Sequence, residues 1–278
     1  MNPVLLNLGF LEIRWYSILV LSGFIIGYFL VLNKLTKKGL NPNIISDMCF
    51  YLIIFCILGA RLHYCLFYID ELGNNPYFSN PLDIIKIWEG GLGIHGGIIG
   101  GFIFLYFYTK KKKLNLLEIM DAFAPALVLG QCIGRWGNFF NSEAFGKVVS
   151  LEHLKNLHIP NFIIDGMFIK DRMYPMGAYR QPTFLYESLA CLIIFIILLI
   201  IRNKKSIKDG QVVGTYFIFY GIVRFFIESL RTDSLMIFNF KTAQIISIIM
   251  IIIGIYLIIR PYIRRSYDKQ KMGHSTKR

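Results

Sequence analysis

Seven apolar segments, each about as long as a bilayer crossing, dominate this chain: about Tyr16 to Leu32, Ile44 to Phe67, Leu92 to Tyr108, Leu116 to Ile133, Phe184 to Ile201, Val212 to Leu230 and Thr242 to Ile259. Crossing the hydrocarbon takes about 20 apolar residues. The backbone must bond to itself there, so such segments are read as helices. Seven of them consume roughly half the chain and leave no room for a sizeable soluble domain. The charged fraction, 17%, is well under that of an ordinary soluble globule. The expectation is an all-α integral membrane protein, one polytopic domain over residues 1–278. The second, third and fourth segments carry polar interruptions, so their existence is clearer than their number. Met1 to Phe10 contains no Lys or Arg, so the basic region of a cleavable signal peptide is missing and the first segment is expected to stay.

An oily chain with a net charge of +13 must place its cations somewhere. Lys34, Lys37 and Lys38 follow the first segment, Lys110 to Lys113 the third, and Arg202, Lys204, Lys205 and Lys208 the fifth. The tail adds Arg260, Arg264, Arg265, Lys269, Lys271, Lys277 and Arg278, so these four regions hold eighteen of the 30 basic residues. The intervening loops are poorer for their length. The positive-inside rule then predicts seven transmembrane helices with the N-terminus outside and the C-terminus cytoplasmic. Tracts that recur on alternate loops beside spans are topological signals, and no nucleic-acid partner is expected. The one long extramembrane segment, about 142–181, becomes a small ordered cap on the outer face, since it mixes apolar and polar residues with Pro160 and Pro175. Cys49, Cys56, Cys65, Cys132 and Cys191 all lie in apolar stretches without a Cys-x-x-Cys pair, which points to neither a metal site nor a disulfide framework.

Charged groups at membrane depth are costly and are candidates for function. Here they gather toward the outer ends of the spans. Tyr220, Arg224, Glu228 and Arg231 are spaced as one helical stripe, two arginines flanking one glutamate, which predicts a net positive site. The competing reading is a neutralised Arg–Glu pair that locks two helices. The fourth segment ends in Gly134-Arg135-Trp136-Gly137-Asn138-Phe139-Phe140-Asn141-Ser142-Glu143-Ala144-Phe145-Gly146, a dense run of glycines, amides, a cation and a carboxylate. Glycine permits close backbone approach and unusual dihedrals. The alternative for Arg135 is a snorkelling interfacial cation beside a Trp anchor. In the third segment Gly93, Gly97 and Gly101 have helix-packing spacing, which leaves His95 either a base or a structural donor. Arg61 either joins a phosphate site or snorkels, and Tyr16 either binds substrate or belongs to an aromatic belt. Glu118 and Asp121 sit near the opposite end of their span and read as structural, while Tyr186 and Glu187 lie on the side of the outer cluster. Arg suits bidentate phosphate binding, and the phosphates at that depth are phospholipid headgroups.

Gly134 to Gly146 resembles the signature of the prolipoprotein diacylglyceryl transferases, Gly-Arg-x-Gly-Asn-Phe-x-Asn-x-Glu-x-x-Gly, at every fixed position. Arg14-Trp15-Tyr16, Gly59-Ala60-Arg61, His95-Gly96-Gly97, Gln181-Pro182-Thr183-Phe184-Leu185-Tyr186-Glu187 and the Tyr220 to Arg231 stripe extend the resemblance, in order, over nearly the whole chain. One departure is Gln181, where the family commonly has His; no proton-transfer role is expected there. The resemblance implies a multi-pass enzyme of the bacterial plasma membrane with its active site toward the outer face. It would move the diacylglyceryl group of phosphatidylglycerol to the lipobox cysteine thiol of a preprolipoprotein signal peptide, forming a thioether and releasing glycerol 1-phosphate. Arg135 would clamp the phosphate, Arg224 would be a second cation oriented by Glu228, and His95 would be the base for the thiol. Tyr16, Tyr220, Asn138, Glu143, Gly146, Gly96 and Gly97 would position substrate, with Arg61 and Arg231 as helpers. No metal or organic cofactor is implied, because the phosphodiester carries its own leaving group. A small transporter for an anionic metabolite is the rival reading, although no inverted repeat with broken helices supports it. An intramembrane serine protease lacks a Gly-x-Ser-x-Gly nucleophile motif.

Overall fold

A computed structural model of the chain describes residues 3–9, 12–70, 73–232, 236–237 and 240–275. The elements in order are β1 (Val4–Asn7) and β2 (Glu12–Arg14), α1 (Trp15–Thr36), α2 (Pro42–Phe67), α3 (Pro76–Ser79), α4 (Ile94–Lys111), α5 (Leu116–Phe140), α6 (Leu151–Asn156), α7 (Asn161–Gly166), β3 (Phe168–Ile169), β4 (Ala178–Tyr179), α8 (Thr183–Ile201), α9 (Gln211–Leu230), β5 (Met236–Ile237), β6 (Phe240–Lys241) and α10 (Thr242–Ser275). The strands form three antiparallel two-stranded ribbons, so the protein is essentially all-helical. Every predicted apolar segment is a helix. Six are long and apolar enough to cross a membrane: α1, α2, α5, α8, α9 and the Thr242–Ile263 part of α10. The third segment, α4, is outside that set, because four glycines, His95, Lys110 and Lys111 dilute an 18-residue helix. Within the spans the buried share falls from 44% in α9 to 11% in α10, so most of their apolar surface is left for lipid. Of the basic tail, the side chains from Arg264 onward lie outside the described residues.

The chain divides into two compact units, Val31–Ile119 on one hand and Met1–Leu30 with Met120–Arg278 on the other. In the first, α2 and α4 cross through glycines. A Cβ on Gly59 would lie 3.0 Å from the Gly100 Cα, and one on Gly96 would run into the Gly59 carbonyl and the His63 Cβ. Gly97 faces Cys56 and Ala60 across the same seam. Such small-residue contacts let two backbones approach where lipid removes the usual hydrophobic drive between helices. Gly96→Ala is therefore expected to destabilise this unit by about 1–3 kcal/mol through overpacking. Gly130→Ala, whose Cβ would meet nothing within 4 Å, should be neutral. Thermal survival of the two detergent-solubilised variants checks this contrast. Glu118 pairs with Lys38 at 2.7 Å, in keeping with its structural reading.

In the second unit α9 is the hub. Its Gly214 packs on Gly254 of α10, and the Asp121 carboxylate of α5 accepts the Gly210 and Val213 amides at 2.8 Å each, capping the start of α9. Asp121 thus has the structural role expected of it. Residues 142–181 fold as an ordered segment. Phe139, Leu154, Ile159, Ile163, Ile164, Met167, Ile169 and Phe184 form its buried core. Arg180, 4% exposed, is held by Asp171 and lies over the Phe145 and Tyr174 rings. Partial desolvation opposes charge on Asp171, but the Tyr174 and Met173 amides and the Arg180 guanidinium outweigh it and hold the carboxyl below the usual carboxylate range.

Candidate active site

Three helices of the second unit carry the charged cluster. From α5, Arg135 Nη2 approaches Glu187 Oε1 of α8 at 2.7 Å and the Tyr220 hydroxyl of α9 at 3.4 Å. Tyr220 donates to the same Glu187 oxygen at 3.2 Å, while Arg224 Nη1 meets Glu187 Oε2 at 3.2 Å. One turn further along α9, Glu228 Oε2 lies 2.6 Å from Arg224 Nη2. Glu187 is thus the hub: two guanidinium groups and a phenol converge on one carboxylate that is 2% exposed, whereas the arginine side chains keep 18% and 17% of their surface. Below this group Gln131 Nε2 donates to the Tyr216 hydroxyl at 2.9 Å, and the Tyr216 ring stacks on Tyr220 at 5.6 Å.

This arrangement brings to the expected stripe an acid and an arginine from other helices. Glu187 comes from another helix, so sequence spacing along α9 cannot reveal that Arg224 meets it as well as Glu228. The stripe also ends sooner than expected. Helix α9 stops at Leu230, and Arg231 has extended backbone (φ −77°, ψ 145°) that bridges to Gly146. Lys241, which sequence reasoning missed, donates to the Glu228 and Arg231 carbonyls at 2.6 and 3.0 Å and so caps the end of α9.

The signature run is built differently from what its glycines suggest. Its left-handed residues are Ser142 (φ 54°) and Ala144 (φ 55°), not glycines. Thr183 donates to the Ala144 carbonyl at 2.5 Å and holds that turn. The glycines serve close approach: the Tyr16 ring lies where a Gly137 side chain would be, and Gln181 and Thr183 lie where a Gly146 side chain would be. Asn138 is half-buried and its carbonyl accepts the Glu143 amide at 2.9 Å, while the Glu143 side chain is exposed.

The other unit holds the remaining candidates. Arg61, expected as a helper at phosphate, is 3% exposed and spends its guanidinium on the carbonyls of Ile84, Asp83, Gly90 and Gly91 at 2.6–3.2 Å. We therefore read it as the clamp of the 83–91 segment. A buried cation surrounded by carbonyl oxygens satisfies its own donors and has little left for a ligand. His95 is half-buried, its ring 5.9 Å from that of His63. Gly96 and Gly97, which the resemblance assigns to substrate, turn their bare faces to α2.

The family model for prolipoprotein diacylglyceryl transferase matches residues 3–260. The chain belongs to this family. Its curated relatives include the phosphatidylglycerol–prolipoprotein diacylglyceryl transferases of Staphylococcus aureus strains JH9 and Newman. Each is 46% identical over 269 residues, spanning 96% of this chain and 91% of the relative. Family members so named are enzymes, and nothing among these relatives supports the transporter reading. Within the family signature, Arg135 is the residue that the fold ties directly to Glu187 and Tyr220.

Proposed function

We propose that this chain transfers the diacylglyceryl group from phosphatidylglycerol to the lipobox cysteine thiol of preprolipoproteins. The observation that carries the reading is the convergence of the signature Arg135 and Arg224 on Glu187. Both described contacts of Arg135 use Nη2, on one edge of a planar fork with five donors. A phosphate taken on the other edge replaces nothing that the cluster needs. Glu187 and Glu228 hold the guanidinium groups in place before lipid arrives, which is how preorganised donors stabilise charge that grows on a leaving group.

In the reaction the cysteine sulfur attacks the glyceryl carbon that bears the phosphate. The new bond is C–S, and the C–O bond to phosphate breaks with its electron pair leaving on oxygen. The products are the thioether and glycerol 1-phosphate. A thiol with its usual pKa near 8.5 must give up its proton to attack. His95, carried over from the His-Gly-Gly motif of the family, takes that proton in this reading. His95→Gln is then expected to lower kcat by about 10²–10⁴-fold with little change in KM for lipid. Initial rates over a lipid titration check it, and unaltered kcat would move the base role elsewhere. Tyr16, Tyr220, Asn138, Glu143 and Gly146 are proposed to shape the lipid headgroup site, and no cofactor is invoked.

We also extend the six apolar helices to seven spans by counting α4. Basic loops on alternate sides then place the N-terminus outside, the C-terminus in the cytoplasm, and residues 142–181 as a cap on the outer face of the plasma membrane. Both substrates reach such a site laterally, from within the bilayer. Vesicles of phosphatidylglycerol or of phosphatidylethanolamine, each with the purified chain and a lipobox peptide, test the proposed donor. Lipidated peptide is expected with phosphatidylglycerol alone, and equal transfer from both would overturn that assignment.

A further inference from the structure

Helices α5 and α9 face each other in two rungs one turn apart. The upper rung is Arg135 with Tyr220, and the lower is Gln131 with Tyr216. The upper rung is charged and tied to Glu187. The lower is neutral and has more hydrogen-bonding capacity than it uses. Gln131 Oε1 is buried without a partner among the described residues, while Nε2 donates to the Tyr216 hydroxyl. Turning the amide over lets the Tyr216 hydroxyl donate to Oε1 and releases both Nε2 protons, so in either orientation a polar group is left over. Tyr216 is 5% exposed, and a surplus polar group in such a place is costly unless something else bonds to it.

Gln131 precedes Arg135 by four residues, on the side away from the signature end of α5, about 6 Å deeper along the helix axis. In a glycerophospholipid whose phosphate sits at Arg135, the acyl ester carbonyls follow a few bonds further along, at about that distance and in the direction of the acyl chains. We infer that Gln131 and Tyr216 form a second subsite, which donates a hydrogen bond to an acyl ester carbonyl of the lipid. This inference rests on the proposed diacylglyceryl transfer with phosphate at Arg135, and it deepens that reading. The lower rung selects ester-linked diacyl lipids, and it sets the depth at which the glyceryl carbon meets the thiolate. Gln131 and Tyr216 are positioning residues: they take no part in bond making.

The test compares diester phosphatidylglycerol with its diether analogue, which lacks both carbonyls, in the full chain reconstituted with a lipobox peptide. Wild type is expected to show a KM about fivefold lower for the diester, the effect of one net hydrogen bond. Gln131→Leu and Tyr216→Phe should each raise KM for the diester to the diether value. Equal KM values in wild type would overturn the subsite, as would variants that shift both lipids alike or lose thermal survival without changing the preference. Native mass spectrometry of retained lipid reads the same ester preference without catalysis. If no transfer occurs but an ester preference is retained and is lost in Gln131→Leu, the transferase reading fails and the subsite stands.

Discussion

Arg135→Lys is expected to lower kcat by about two to three orders of magnitude, the usual cost of one preorganised donor to a developing oxyanion. Charge alone does not replace the guanidinium. Arg135 meets Glu187 and Tyr220 through one nitrogen, and the planar fork then offers further N–H groups in fixed directions, whereas an ammonium is a compact point charge on a flexible stem. Lys still pairs with Glu187, so the variant should fold, and its thermal survival should stay near that of wild type. Steady-state transfer at saturating lipid reads the effect. Near-wild-type turnover would remove Arg135 from the phosphate clamp.

Glu187→Gln should have the second large effect, and through a different route. This carboxylate is 2% exposed and neutralises Arg135 on one oxygen and Arg224 on the other. Removing its charge leaves Glu228 as the single described acid against two guanidinium groups. Breaking a buried ion pair from one side costs about 3–5 kcal/mol. Both stability and transfer should fall, because Arg135 and Arg224 then repel each other across the amide. Thermal survival in detergent, measured with the transfer rate, separates this from Arg135→Lys, in which transfer alone is lost. Wild-type survival for Glu187→Gln would mean that the two arginines are compensated elsewhere.

The contrast between these variants follows the limits of what the sequence makes legible. Helices are legible because a run of apolar residues the thickness of a bilayer has few other ways to bond its backbone. Their ends are not. Helix α5 runs on through Phe140, past the expected stop near Ile133, because the Gly-Arg-x-Gly-Asn signature lowers hydropathy without interrupting the helix. Residues 220, 224 and 228 share a face of α9, as their spacing predicts, since that relation is local. Glu187 could be grouped with the cluster by its position at a helix start but not assigned to the two arginines, because tertiary packing of α5, α8 and α9 makes that link. An acid in an otherwise apolar helix start was the available signal. Arg61 is the converse case. Its charge is visible in the sequence, while the four carbonyls that occupy it come from a loop more than twenty residues downstream. The signature glycines were legible as special, yet only the fold shows that they admit Tyr16, Gln181 and Thr183, and that Ser142 and Ala144 carry the left-handed turns.

Quantifying both products of one reaction shows whether phosphate release and thioether formation are one event. The purified full chain is reconstituted with phosphatidylglycerol and given a lipobox peptide, and mass spectrometry counts diacylglyceryl-peptide against glycerol 1-phosphate. Equal amounts of a thioether-linked peptide and of glycerol 1-phosphate are expected, with neither formed when the lipobox cysteine is replaced by serine. Glycerol 1-phosphate released without lipidated peptide, or no product of either kind from the folded chain, would rule out diacylglyceryl transfer by this chain.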